Sequence, residues 1–423
     1  MATRLSWAAL RSLVLAALVM APALQAQTAA GPSFSKSGPE AIALGQEQGY
    51  PVPATGLAPA RDHMVGLFSH YDRVRPLRRV ATSAAPSVLQ RSSTEINPVY
   101  GYDGRIKTLA DYLGSHPVTG LLIARSDTIL YEHYQYARSD QDRFLSQSMT
   151  KTVVGLLVGI AIAEGAIASI DDLAAQYVPD LAGTEYGKTP IRALLQMSSG
   201  MAFTETYQAG DDIAKLALSV FLPDSPGAIA AVKQVNTRVA APGTRFNYSS
   251  ADTEVLGLVL SGAVRSTVAD YFSSRIWQKL GAEADAAWPI DSTAQEVAFC
   301  CIVARLRDWA RLGLMLANDG YWNGQQIVPR QWLIDATSVD PRRADLAPGQ
   351  LSPILGYGYQ VWISAGERRR FSLVGIHGQS MLVDPVSKLV LVHTAVRPNA
   401  MGGPSGVELA ALWYAVLAQY PER

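Results

Sequence analysis

A serine and a lysine three residues apart precede a long apolar run. Ser148 and Lys151 lie in the tetrapeptide SMTK, and all eleven residues from Val153 to Ala163 are apolar or Gly. The run is too short to span a membrane and therefore predicts a buried central helix. Because positions i and i+3 share one face of a helix, we expect the two side chains to meet at its first turn.

This pair has the chemistry of an activated nucleophile. Burial disfavours the ammonium form of lysine, and a neutral amine can accept the serine proton. The start of a helix also favours the negative charge that develops during attack. The alternative is a serine that caps the helix and a lysine that reaches for solvent. We interpret a second S-x-x-K, Ser33 to Lys36, as chance because no helix pattern follows it.

A tyrosine from a distant segment is a candidate second proton carrier. Tyr248 follows a Pro-Gly turn in APGTRFNYSS and precedes another apolar helix pattern. From a helix start it could move a proton between Ser148 and a leaving group. The alternative is a tyrosine that turns its hydroxyl to water.

A late strand is the candidate oxyanion-binding element. In FSLVGIHGQ the strand ends at Gly375, which would let a substrate lie along its edge. The backbone N–H groups of Ile376 and Ser148 would form the oxyanion hole. His377 is predicted either to contact substrate or to lie on the far side of the strand as a structural residue.

Strand patterns near both ends of the chain, with helix patterns between them, predict an α+β fold. A hairpin is expected around 126–127, and four more strand patterns fall within 356–396. Helix patterns include 170–181, 191–200, 211–222, 254–264, 268–281 and the C-terminal 406–420. We predict an antiparallel sheet flanked by terminal and central helices (101–165 and 300–423), an inserted mostly helical domain (166–299) and an extended N-terminal segment (27–100).

These segments together resemble the serine β-lactamase/penicillin-binding-protein superfamily. Specifically, the chain resembles the branch holding class C β-lactamases, D-alanyl-D-alanine carboxypeptidases, related esterases and 6-aminohexanoate-dimer hydrolases. The matching motifs are SMTK (148–151), YSS (248–250) and VGIHGQ (374–379), in the family's order. The resemblance runs from about Pro117 to the C-terminus and implies a β-lactamase-like fold.

The same resemblance implies roles for individual residues. Ser148 would be the acylated nucleophile, Lys151 its base and Tyr248 the second proton carrier. Tyr207, in FTETYQ, would be a pocket tyrosine that binds substrate, together with Gly375 and His377.

Two departures from the family pattern bear on the substrate. Ser250 replaces the Asn that usually ends the tyrosine motif, and Leu-Val-Gly (373–375) replaces Lys-Thr-Gly. The lysine that binds the carboxylate of a β-lactam or peptide in the family is therefore missing from that position. This favours an esterase or a linear-amide hydrolase over a weak carboxypeptidase or β-lactamase. A second hypothesis is a sensor of cell-wall fragments that is acylated without turnover.

The N-terminus predicts export. Residues 1–26 have two arginines, an apolar stretch and small residues up to Ala26, which is the pattern of a signal peptide for a periplasmic or secreted protein. The 423-residue chain has 36 basic and 36 acidic residues, and this balanced charge does not predict nucleic-acid binding. After cleavage of the signal peptide we expect no stable membrane insertion. The six scattered histidines predict no metal, and we expect no cofactor. The partner expected is a small ester or amide substrate; the oligomeric state is left open.

The only two cysteines are adjacent, at 300 and 301. Neighbouring residues do not easily reach ordinary disulfide geometry. We therefore expect Cys300 and Cys301 to be buried apolar residues rather than a disulfide.

Overall fold

The computed structural model describes residues 31–56, 59–401 and 403–420. The predicted signal peptide lies outside these residues. The strands in chain order are β1 (Ser33–Phe34), β2 (Leu77–Val80), β3 (Gln90–Arg91), β4 (Val99–Tyr102), β5 (Arg105–Thr108), β6 (Val118–Arg125), β7 (Thr128–Tyr134), β8 (Arg143–Leu145), β9 (Ala286–Pro289), β10 (Val303–Arg305), β11 (Tyr321–Trp322), β12 (Gln325–Gln326), β13 (Leu355–Tyr357), β14 (Trp362–Ser364), β15 (Phe371–Gly375), β16 (Gln379–Asp384) and β17 (Leu389–Ala395).

The α-helices of the described residues range from 3 residues in α9 to 16 residues in α12. They are α1 (Met64–Ser69), α2 (Leu109–Ser115), α3 (Met149–Ala163), α4 (Ile191–Leu195), α5 (Asp212–Phe221), α6 (Gly227–Gln234), α7 (Ser250–Val264), α8 (Val268–Phe272), α9 (Gln278–Leu280), α10 (Leu306–Ala317), α11 (Arg330–Ala336) and α12 (Gly403–Ala418). A π turn, Ser273–Trp277, joins α8 to α9.

The main sheet is assembled from both ends of the chain, as the strand patterns predict. Its order within the described residues is β1-β7-β6-β17-β16-β15-β14-β13, and β3 also pairs with β7. The pairs from β7 through β13 are antiparallel, whereas β1 and β3 run parallel to β7. The predicted hairpin is confirmed by the pairing of β6 with β7.

Helices cover both faces of this sheet because its central strands are apolar on both sides. Along β6, Leu121 and Ile123 face a cluster with α2 and α12, while Leu122 and Ala124 face the main core with α3 and α10. The segment 166–299 holds α4 to α9 and strand β9. Its boundaries as a separate domain stay a prediction.

The helix expected over 170–181 is wrong. That stretch forms only two 3-10 turns, Ala174–Gln176 and Pro179–Leu181. The amides of Ala174 and Ala175 donate instead to the carbonyls of Thr189 and Gly187, and Pro179 has no amide hydrogen to donate. Apolar spacing alone did not reveal these non-local partners.

The apolar run after Lys151 is a core helix. In α3, the residues from Met149 to Ala161 are buried. Among the described helices none is by itself long and apolar enough to cross a bilayer, although the bent pair Ser250–Val264 and Val268–Leu280, with 77° between its halves, passes that test by length and composition.

Candidate active site

Ser148 sits at a sharp corner between a strand and a helix. Strand β8 is held by antiparallel pairing with β10, and Ser146 N donates to Ile302 O at 2.9 Å just beyond it. The chain then turns through Gln147, whose φ of 49° is in the left-handed region. Such a conformation is uncommon for a residue with a Cβ and is typical of tight functional turns. The corner leaves Ser148 partly exposed at the start of α3.

The Ser148 hydroxyl does not cap the helix that it begins. No side-chain capping bond is formed at this N-cap, so the alternative of a purely structural serine is not what the geometry shows. Instead Lys151 Nζ lies 3.2 Å from Ser148 Oγ. The two residues meet on one face of the first turn, as the i, i+3 spacing predicts.

Lys151 is enclosed on all sides by oxygen acceptors and aromatic rings. Its side chain is 2 % exposed, and Nζ donates to Ser250 Oγ at 3.0 Å and to the backbone carbonyl of Phe299 at 2.9 Å. Burial lowers the pKa of Lys151 to about 8, although the carboxylates of Glu205 and Glu254 act in the opposite direction. A substantial fraction of the amine is therefore neutral at mildly alkaline pH.

Tyr248 contacts both members of the pair. Lys151 Nζ lies 5.1 Å from the centroid of its ring, and its phenol is near enough to Ser148 for the serine hydroxyl to act on it and lower its pKa. Burial, with the charge of Glu205, raises the pKa of Tyr248 well above its ordinary value. The phenol is therefore protonated at neutral pH and can donate a hydrogen bond. Its ring stacks on Trp362 with the centroids 5.7 Å apart.

Glu205 links the predicted pocket tyrosine to the lysine. Its carboxylate accepts from Tyr207 Oη at 2.9 Å, from Ser250 N at 2.6 Å and from Ser250 Oγ at 2.9 Å. Ser250, which stands where the family has Asn, thus receives the Lys151 amine and passes a hydrogen bond to Glu205. Tyr207 is in this way connected to the site through a carboxylate that the sequence reasoning missed.

The end of β15 passes directly beside Ser148. A Cβ on Gly375 would lie 2.6 Å from the carbonyl oxygen of Ser146 and 3.0 Å from the backbone nitrogen of Ser148. Only a glycine allows this approach, because those contacts are shorter than any side chain tolerates. Ile376 follows at once and is partly exposed, next to this corner.

The His377 side chain contacts Arg397 and Phe68. Its Nδ1 lies 2.8 Å from the carbonyl oxygen of Arg397, and its ring packs edge-on against Phe68 with the centroids 5.7 Å apart. Its backbone has φ 60°, in the left-handed region. Of the two predicted placements, these contacts favour the structural one.

The prediction that Cys300 and Cys301 form no disulfide is wrong. The two neighbours are bonded to each other, with their Cα atoms 3.7 Å apart. The prediction relied on the usual Cα separation of disulfides, which this pair does not follow. The backbone at Cys301 adopts φ 84°, in the left-handed region. This turn lies at the site, because Cys301 N donates to Gln147 O at 3.2 Å.

Sequence reasoning also missed Glu254, although a signal for it exists. Glu254 is an acidic residue within the apolar run of α7, four positions after Ser250, and it is fully buried. A charged residue on the buried face of a helix is costly unless it has a partner. Phe299 carries no such signal, because it is its backbone carbonyl that accepts the hydrogen bond from Lys151.

In the part of the chain that the structure describes, no group of three or more His, Cys, Asp or Glu side chains is arranged to hold a metal ion.

The sequence is similar to known proteins. The family model described as Beta-lactamase matches residues 106–410. A 6-aminohexanoate-dimer hydrolase from Paenarthrobacter ureafaciens is 28% identical over 316 residues, which are 73% of this chain and 80% of that protein.

Solved structures show the same fold. A protein described as a candidate 6-aminohexanoate-dimer hydrolase from Bacillus anthracis is 22% identical, with a TM-score of 0.77, covering 85% of this chain and 96% of its own. EstCE1, a hydrolase with promiscuous acyltransferase activity, is 18% identical with a TM-score of 0.57, covering 71% and 93%. A penicillin-binding protein from Bacillus halodurans is 15% identical with a TM-score of 0.57, covering 72% and 98%.

Proposed function

The chain belongs to the β-lactamase family of serine hydrolases, and from that premise we propose that it cleaves a small ester or linear amide through an acyl-enzyme on Ser148. The observation that carries the proposal is the contact of a partly exposed serine hydroxyl with a buried amine and a phenol. Ser148 Oγ lies 3.2 Å from Lys151 Nζ, and it is near enough to the Tyr248 phenol to lower the pKa of that group. Lys151 lies in α3, Ser148 directly precedes that helix, and Tyr248 lies two residues before α7.

The three oxygens around Lys151 suit a neutral amine. Such an amine has two N–H donors, which Ser250 Oγ and Phe299 O accept, and one lone pair, which then faces Ser148. The lone pair takes the serine proton while Oγ forms a bond to the substrate carbonyl carbon. The resulting ammonium donates to all three oxygens and is stabilised in place.

The second half of the reaction returns that proton. As the bond to the leaving alcohol or amine breaks, the proton passes from Lys151, through the Tyr248 phenol, to the departing oxygen or nitrogen. Water then adds to the acyl carbon, giving its proton to the same groups, and the acid product leaves with Ser148 restored. The backbone N–H groups of Ser148 and Ile376 hold the oxyanion in both halves.

The relative that is 28% identical supports the linear-amide side of this proposal, since its name describes it as a 6-aminohexanoate-dimer hydrolase. The strand beside Ser148 favours a substrate without a carboxylate at that point, since Leu373, which stands where the family pattern has Lys, is fully buried in the hydrophobic core. The aromatic side chains of Tyr248 and Trp362 supply an apolar wall.

Replacement of the nucleophile tests the proposal. We expect Ser148→Ala to lower kcat/KM for p-nitrophenyl acetate by about a thousand-fold or more. Ser33→Ala, in the second S-x-x-K, is the matched control and should keep the wild-type rate. Intact-mass measurement after a slow ester should show an added acyl group on wild type alone. A Ser148→Ala protein that hydrolyses at the wild-type rate would refute the assignment.

We also propose that the chain is exported and cleaved after Ala26. The signal-like composition of residues 1–26 supports this, and so does the Cys300–Cys301 disulfide, because such bonds persist mainly in oxidising compartments. The mass of the protein recovered from the periplasm or medium should correspond to a chain that starts at Gln27. Recovery of the full-length chain from the cytoplasm alone would contradict export.

A further inference from the structure

A buried carboxyl on α7 stands behind the amine that the mechanism uses. Glu254 is fully buried and lies one helical turn after Ser250, on the same face of α7. Its Oε2 accepts a hydrogen bond from Ala298 N at 2.8 Å, and the neighbouring amide of Phe299 also lowers the pKa of this carboxyl. Its Oε1 is buried without a hydrogen-bond partner among the described residues.

The segment from Ala298 to Ile302 bonds Glu254 at its start and also accepts a hydrogen bond from Lys151. Immediately after the amides of Ala298 and Phe299, the Phe299 carbonyl takes the Nζ hydrogen bond at 2.9 Å. The far end of the same segment is tied to the nucleophile's helix, since Ile302 N donates to Thr150 Oγ1 at 3.1 Å. A Cβ on Gly257 would lie 2.4 Å from the Ala298 side chain, so this segment lies against α7.

We propose that Glu254 is a positioning residue for Lys151, acting in two ways. It fixes the Phe299 carbonyl against the amine, and its charge sets how readily that amine gives up its proton. The inference deepens the proposed function and rests on it. Glu254 touches no substrate in this role; it acts through Lys151.

The charges around the two groups give the direction of the effect. Burial raises the pKa of Glu254 to about 8, and Asp291 acts in the same direction, while Lys151 lowers it. Lys151 faces Glu205 and Glu254, both of which favour its ammonium form, and the protonated phenol of Tyr248. An ionised Glu254 therefore stabilises the inactive ammonium, and the two groups titrate as a pair.

Two variants separate the effect of the Glu254 charge from the effect of its hydrogen bond to Ala298 N. Glu254→Gln keeps an oxygen for the amide of Ala298 and removes the charge. We expect the acidic limb of its kcat/KM profile to move to lower pH by roughly one unit. Glu254→Leu also removes the acceptor, so kcat should fall by about tenfold or more with a smaller change in KM, because the Phe299 carbonyl loses its support.

The control is a second buried carboxyl on the same helix. Asp252 bonds Tyr186 and Ser199 rather than the segment at Phe299. Asp252→Asn should leave the acidic limb where the wild type has it. A merely structural role for Glu254 would lower the folded fraction of both Glu254 variants without moving the acidic limb of Glu254→Gln.

The closing experiment measures two rates as a function of pH. The first is the hydrolysis of p-nitrophenyl acetate. The second is the sulfonylation of Ser148 by phenylmethylsulfonyl fluoride, followed by intact-mass measurement. Both rates should show the shifted limb in Glu254→Gln and not in Asp252→Asn. Coincident limbs in wild type and Glu254→Gln would overturn the role of Glu254 while leaving Ser148 as nucleophile. Failure of wild-type Ser148 to react would overturn the proposed function and this inference together.

Discussion

Lys151 combines deep burial with hydrogen bonds that suit its neutral form. Desolvation disfavours the ammonium, yet three oxygens lie within 3.2 Å of Nζ, so the side chain is satisfied with or without the extra proton. A surface lysine would keep its proton at pH 7, and a buried one without acceptors would be costly. The balance between these effects brings its pKa to about 8, in the range useful to a base.

This environment predicts the pH dependence of the reaction. The base is the unprotonated amine, so kcat/KM for p-nitrophenyl acetate should rise as pH increases through about 8 and level off above it. Lys151→Arg should lose activity by about a hundred-fold or more at every pH, because a guanidinium does not deprotonate. A rate that is flat from pH 6 to 9 in wild type would contradict a titrating Lys151.

At the residue scale, the sequence predicted side chains that carry their own signal. Ser148, Lys151 and Tyr248 stand at the starts of apolar helices, where their polarity is conspicuous. Glu205 lies in a loop without periodicity, and its contact with Ser250 depends on folding across 45 positions. The Phe299 contribution comes from its backbone, to which residue type is no guide.

At the scale of elements, the corner between β8 and α3 depends on one close contact with β15. Gly375 has an extended φ of −126°, so its requirement is for space rather than for unusual backbone freedom. Any side chain would meet backbone atoms of Ser146 and Ser148, which are fixed by β10 and α3. The contact sets the distance between Ile376 and the nucleophile.

A small substitution at this contact therefore tests the oxyanion assignment. Gly375→Ala should push the end of β15 away from Ser148 and lower kcat by about a hundred-fold, since displacement of a catalytic group by about 1 Å has that effect. Gly114→Ala, on the exposed side of α2 with open space around its Cβ position, is the matched control. Wild-type kcat in folded Gly375→Ala, judged by circular dichroism, would argue against an oxyanion hole here.

Elements with strong periodicity were predictable, and elements set by distant partners were not. The buried run became α3 and the late strand patterns became β13 to β17. The stretch 170–181 failed because its amides bond to a neighbouring loop. The Cys300–Cys301 disulfide failed because a rule about typical distances was applied to a turn whose backbone departs from the typical.

At the scale of the whole molecule, segments from four parts of the chain converge on one amine and one hydroxyl. The turn at 146–148, the start of α7, the segment around Phe299 and the end of β15 are far apart in sequence and are joined by the sheet and by α3. The order of motifs along the chain indicated this assembly. The charges that it brings together became visible only in three dimensions.

Those charges lead to an expectation about substrate class. The strand beside Ser148 carries Leu373 where the family resemblance implies a lysine, and Glu205 is a nearby carboxylate, hydrogen-bonded to Ser250 and Tyr207. A carboxylate on the substrate would therefore gain no ion pair from this strand and would be repelled by Glu205. The site should favour neutral substrates.

Two esters that differ mainly in one carboxylate measure this preference. We expect kcat/KM for p-nitrophenyl butyrate to exceed that for mono-p-nitrophenyl succinate by about tenfold or more, and nitrocefin, which also carries a carboxylate, to be a poor substrate. In Glu205→Gln the ratio between the two esters should fall toward unity, because the repelling charge is gone, even if both rates decline. A preference for the succinate ester, or a ratio that Glu205→Gln leaves unchanged, would show that a cation elsewhere in the cleft governs recognition.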